Sequence, residues 1–218
     1  VNRLDAFVDA AFAFAVSLLI IAGGEPLASF DDLLRALSRI PAFLGGFALI
    51  VLFWLAHRSW SALGPRRDGY STVLSLAIVF SVLVFVFPLR LLTETAIHFM
   101  SGGFLPGGDL IESFEQLGWI YAIYGIGFAI LSMLYVLLFR HARAGLPAGE
   151  SGREEAGSWM RTWLLAGCAG ALSAVAAVSP LLRIAPWLPG FTYWLIPLGI
   201  GVLALLERRQ RRPQDRVA

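Results

Sequence analysis

Arg3-Leu4-Asp5-Ala6-Phe7-Val8-Asp9-Ala10-Ala11-Phe12-Ala13-Phe14-Ala15-Val16-Ser17-Leu18-Leu19-Ile20-Ile21 is a nearly unbroken apolar run that carries two carboxylates in its first half. Its length matches the about 20 residues an α-helix needs to cross the hydrocarbon core of a bilayer. At about 100° per residue, Phe7, Ala10, Phe14, Ser17, Leu18 and Ile21 fall in one stripe about 100° wide. Asp9, Ala13, Val16 and Ile20 fall on the opposite side, so the acid does not share a face with the bulky stripe. An acid about two turns into a membrane span is costly and is normally paired or functional. Arg3 is six positions from Asp9 and projects from another face. The second apolar run ends with Trp54-Leu55-Ala56-His57-Arg58 at the same depth, which predicts that Asp9 bonds across to the Trp54–His57 end and fixes the tilt of the first helix.

The rest of the chain agrees with a membrane setting. Of its 218 residues 58% are hydrophobic and 15% charged, with mean hydropathy +0.74, against about 45–50% and about 25% in soluble domains. Six apolar stretches, 4–22, 41–63, 72–97, 117–139, 159–182 and 191–206, predict an all-α polytopic fold of six transmembrane helices. Residues 1–206 form a single membrane domain in this reading, and 207–218 a basic cytoplasmic tail. A cleavable leader is not expected, for no basic start and small-residue cleavage site flank the first run. All 17 basic residues are arginines, and 13 of them fall on one set of ends: the N-terminus, the 58–67 loop, the 140–161 loop and the tail. The alternate ends hold Arg35, Arg39, Arg90 and Arg183 with the acidic Asp109, Glu112 and Glu115. The positive-inside rule therefore puts both termini in the cytoplasm, and with them the tail Arg208-Arg209-Gln210-Arg211-Arg212, suited to anionic lipid headgroups. This accounts for the basicity without nucleic acid as a partner.

All seven tryptophans, Trp54, Trp60, Trp119, Trp159, Trp163, Trp187 and Trp194, lie near proposed span ends, as interfacial belts require. Glycine pairs inside the spans read as close helix approaches, and Cys168 reads as a packed apolar residue. Arg90 and Glu94, one turn apart, predict a local ion pair. His57, His98 and His141 lie too far apart in the topology to share a metal, and no cofactor motif or catalytic constellation is present, so an enzyme is not expected.

These residues resemble the potassium channel family of lysosomal transmembrane protein 175 and its bacterial relatives. That family opens its first helix with Arg-x-x-x-Phe-Ser-Asp, matched here by Arg3, Phe7 and Asp9, with Val8 in place of the serine. Trp54-Leu55-Ala56-His57 looks like the family's Trp-x-x-His ending of the second helix, and Phe87-Pro88 like its aromatic-proline pair in the third. The resemblance implies a homotetramer whose first helices line a central pore. Phe7, Ala10, Phe14, Ser17, Leu18 and Ile21 would then face that pore, with Phe14 at the apolar constriction and Ser17 supplying a hydroxyl. It also implies a structural network of Arg3, Phe7, Asp9, Trp54 and His57 around the motif. Val8 thins that network by one hydroxyl, and Phe14 narrows the constriction beyond the usual isoleucine or leucine.

The resulting expectation is a multi-pass protein of the bacterial inner membrane, a homotetrameric cation channel with permeant potassium. Selectivity would come from a dewetted constriction with nearby hydroxyls. A proton-conducting channel using Asp9 and His57, or a non-conducting membrane scaffold or subunit, are the alternative readings.

Overall fold

The computed structural model describes residues 3–21, 28–64, 66–107 and 111–202. The first helix, α1, spans Arg3–Ile21 and is followed by a short helix α2, Phe30–Ser38, and by α3, Ile40–Ala62. Two 32-residue helices come next, α4 over Gly69–Met100 and α5 over Phe114–Gly145, then α6 over Ser151–Val178. Short turns α7, Leu181–Ile184, and α8, Leu188–Phe191, lead through a 3-10 turn at Thr192–Trp194 into a helical stretch over 195–202. At 1.5 Å per residue α4 and α5 are each about 48 Å long, well beyond the about 30 Å of a hydrocarbon core. Helices α1, α3, α4, α5 and α6 are each long and apolar enough to cross a membrane. The sixth expected span, 191–206, overlaps an apolar helix over Leu188–Val202 that tightens to a 3-10 turn at Thr192–Trp194; 203–206 lie outside the described residues, as do the tail and Asp109.

Local signals set the element ends. The Ser29 hydroxyl accepts from the Asp32 amide and starts α2; Ser113 does the same for α5 through the Gln116 amide. Asp68 and Ser71 form a reciprocal capping box at the start of α4. Gly64, at φ +61°, turns the chain after α3 in a conformation that favours glycine. Pro88 sits inside α4 rather than at its end; it withholds one backbone donor, and the helix continues to Met100.

Lipid tails are as apolar as leucine, so helix association depends on close packing. The most extensive pair is α5 with α6. There Gly125 and Gly170 face each other so closely that a Cβ on Gly125 would lie 2.6 Å from the Gly170 carbonyl oxygen. Helix α4 packs against α1, α3 and α5 and so ties the two halves together. Between them an aromatic core stacks Phe53 of α3 on Tyr135 of α5 and Trp163 of α6. The Tyr135 hydroxyl donates to the Phe53 carbonyl at 2.6 Å, which satisfies it without water.

Three sequence expectations are corrected here. Trp60 and Trp163 are buried in the bundle rather than placed in an interfacial belt: Trp163 of α6 stacks on Phe53 and Tyr135, and Trp60 packs on His57 beneath Arg67. Cys168 is exposed on α6, on the face turned away from α5, and is not a packed residue. The segment between the first two apolar stretches carries α2, an element the apolar-run reading passes over.

Candidate functional site

Helix α1 has three faces, and the chain covers one of them. Val8, Phe12, Ala15 and Leu19 recur at intervals of three and four and are buried against the bundle. Leu19 closes onto Gly46 of α3, where a Cβ would lie 2.9 Å from its Cδ2. Phe7, Ala10, Phe14, Ser17 and Ile21 are exposed along a second face, with Phe7 and Phe14 each 54% accessible. Leu18, at the edge of that stripe, is half-buried against the core. The third face holds Asp9, Ala13 and Ile20, all exposed, with Val16 half-buried. Ser17 bonds back to the Ala13 carbonyl at 3.2 Å, so its hydroxyl proton is used within its own helix.

Two carboxylates anchor this helix to α3. The indole Nε1 of Trp54 donates to Asp9 Oδ1 at 2.8 Å. One turn earlier, Asp5 Oδ2 accepts from the Ser61 hydroxyl at 3.0 Å, and Asp5 Oδ1 pairs with Arg67 Nη1 at 2.8 Å. Arg67 Nη2 donates in turn to Ser61 at 2.7 Å, closing a three-membered cluster. Two tryptophans of α3 carry a guanidinium over the ring: Arg58 over Trp54 and Arg67 over Trp60, at 5.5 and 5.3 Å from the ring centroids. The geometry follows from helix periodicity. Asp5 and Asp9 are one turn apart on one side of α1, and Trp54 and Ser61 two turns apart on one side of α3.

His57 behaves differently from the network reading. It is buried and faces α4, with its Nε2 at 3.1 Å from the Ser75 hydroxyl, so Asp9 is held by Trp54 and not by the imidazole. Arg3 is exposed and takes no part in the anchorage. Asp5, Ser61 and Arg67 are the residues sequence reasoning missed; the signal was the one-turn spacing of Asp5 from Asp9 on the same helix side. Arg90 and Glu94 do pair, Nε to Oε1 at 2.9 Å. Outside the spans, Asp68 caps α4 and reaches His141 of α5 at 3.0 Å. The Ser71 amide, with the nearby imidazole, holds the Asp68 carboxyl below its ordinary 3.8.

The stretch from α1 to the middle of α4, which contains the whole Asp5/Asp9 anchorage, is also the part of the chain that matches a known family. Residues 3–88 match the family model of the endosomal/lysosomal potassium channel TMEM175. That stretch is similar to the TMEM175 potassium channels. The chain is similar to a potassium channel of Marivirga tractuosa, 27% identical over 146 residues that cover 65% of this chain. That match spans 59% of the relative's length. Among solved structures, the potassium channel MtTMEM175 in complex with a nanobody–MBP fusion aligns with a TM-score of 0.77 at 23% identity, covering 96% of this chain and 94% of that one. A homologue of the lysosomal potassium-selective channel TMEM175 from Chamaesiphon minutus aligns with a TM-score of 0.62 at 22% identity, covering 92% of this chain and 95% of that one. These structural likenesses establish a shared TMEM175 fold. The chain is a multi-pass membrane protein, as its five long apolar helices require.

Proposed function

We propose that the protein is a potassium-permeable channel that assembles as a homotetramer around its first helices. The observation that carries the reading is the uncovered part of α1: a membrane-length helix that buries only one stripe and leaves Phe7, Ala10, Phe14, Ser17 and Ile21 along another. A path shared by several copies would line itself with this stripe, the Ser17 hydroxyl included. In this reading Phe14 from each copy forms an apolar constriction that admits ions when the rings part, and Ser17 lies one turn beyond it. Leu18 borders the path from its half-buried position. The Asp5 and Asp9 anchorage to α3 sets the tilt of α1 and with it the aperture. Both termini face the cytoplasm of a bacterial inner membrane, by the arginine distribution.

Potassium efflux from liposomes holding the purified chain tests this. The native chain should release potassium, and Phe14→Ala should release it several-fold faster. Silence in both would reject the channel and leave a scaffold; flux of protons alone, abolished by Asp9→Asn, would favour the proton pathway.

A further inference from the structure

We propose that a phospholipid with a primary ammonium head, of the phosphatidylethanolamine type, binds in the cleft where α5 begins and α6 finishes. The cleft holds about 280 Å³ between the first turns of α5, the last turn of α6 and α7. Buried Leu182 closes its floor, and Gly118 lets the helices meet there, since a Cβ on it would lie 2.9 Å from the Ala177 carbonyl oxygen. Phe114, Trp119 and Val178 form an apolar rim, each more than half exposed. Glu115 and Arg183 add one charge of each sign to the same lining.

Both charges are open to a ligand. Of the four arginines on this set of span ends, Arg35 pairs with Asp32, Arg90 pairs with Glu94, and Arg39 is engaged as well. Among the described residues the Arg183 guanidinium makes no hydrogen bond or ion pair, and neither does the Glu115 carboxylate, although the two are exposed around one cleft. The 32 residues of α5 outrun the about 30 Å of a hydrocarbon core, so its first turn reaches the headgroups, and the exposed Trp119 one turn on suits that level. A ligand that meets both groups carries an anion and a hydrogen-bonding cation a few bonds apart on an apolar body. The phosphate fits Arg183, whose guanidinium can donate two parallel hydrogen bonds. The ammonium fits Glu115, whose charge is favoured at the start of α5, and an acyl chain fits against Phe114, Trp119 and Val178. A choline head has no N–H to donate, and a purely anionic head leaves Glu115 facing a like charge.

Native mass spectrometry of the full chain in detergent, titrated separately with phosphatidylethanolamine, phosphatidylcholine and phosphatidylglycerol of the same acyl chains, tests the site. Phosphatidylethanolamine should bind the native chain in a saturable step about tenfold tighter than either of the others, the difference expected of one charge-assisted hydrogen bond. That comparison needs no variant. Glu115→Gln should bring phosphatidylethanolamine down to the level of phosphatidylcholine, and Arg183→Gln should weaken it about tenfold. Arg35→Gln, which removes a cation that pairs with Asp32 outside the cleft, should leave it unchanged. Equal binding of the three lipids to the native chain, an undiminished preference in Glu115→Gln, native affinity in Arg183→Gln, or equal losses in Arg35→Gln and Arg183→Gln would each overturn the assignment.

Discussion

Asp5 and Asp9 place two negative charges in a helix that has little else to offer water, and each is met by a donor from α3. Trp54→Phe keeps the ring and removes only the indole donor to Asp9. Its expected cost is about 0.5–1.5 kcal/mol, the net worth of one hydrogen bond, read as a lower melting temperature in detergent. The Arg67 pair with Asp5 is only a quarter and a fifth exposed on its two sides and so is less screened than the exposed Asp9 contact, and Arg67→Gln should cost at least as much as Trp54→Phe in the same assay. Asp68 carries a pH dependence. Its carboxyl titrates below the ordinary 3.8 because the Ser71 amide and His141 favour the charged form. Stability from that contact is therefore complete above 3.8 and is lost as pH falls through the lower folded value. Melting of the native chain and of Asp68→Ala should differ at neutral pH and converge in acid. A gap that persists unchanged below pH 3 would contradict this.

Among the elements, α1 was legible in the sequence because helical periodicity alone separates its faces. The buried stripe Val8, Phe12, Ala15 and Leu19 is what remains when the bulky stripe and the Asp9 face are removed. The partner of Asp9 was legible to within one turn of α3, but the choice of Trp54 over His57 was not: it depends on which way α3 is rotated, and Ser75 on α4 decides that by taking the imidazole. Helix α2 escaped the apolar-run reading because its amphipathic pattern averages to a neutral hydropathy, although Ser29 and the Phe30, Leu33, Leu34, Leu37 spacing announce it. Burial of Trp60 and Trp163 was hidden for another reason. Nearness to a span end fixes depth, not which side of the helix faces lipid. The α5–α6 pair carries its own prediction. Gly170→Val places methyl groups against the Gly125 carbonyl, already 2.9 Å from a bare Cβ, and that contact is backbone that cannot turn aside. The variant should fail to give folded, monodisperse protein, whereas Gly201→Ala, with open space around it, should express as the native chain does.

At the scale of the whole molecule, the account requires that copies meet along α1. The chain on its own leaves Phe7, Phe14 and Ile21 more than half exposed beside Ser17, the face that the proposed axis would cover. Light scattering of the detergent-purified protein should give four copies of the 23.7 kDa chain after the micelle is subtracted. A monomer would remove the basis for a central pore. In that arrangement α1 is the element through which the anchorage at its start acts on conduction.

Thiol block of potassium current tests the central claim most directly. In a Cys168→Ala background, which removes the single native thiol, cysteines are introduced one at a time at Ala10, Phe14 and Ser17, and at Ala13 on the next face. A water-soluble, charged thiol reagent should stop current through the first three and leave the Ala13→Cys channel conducting. Block at Ala13 with none at Ala10, Phe14 or Ser17 would contradict the account and move the ion path off this face of the first helix.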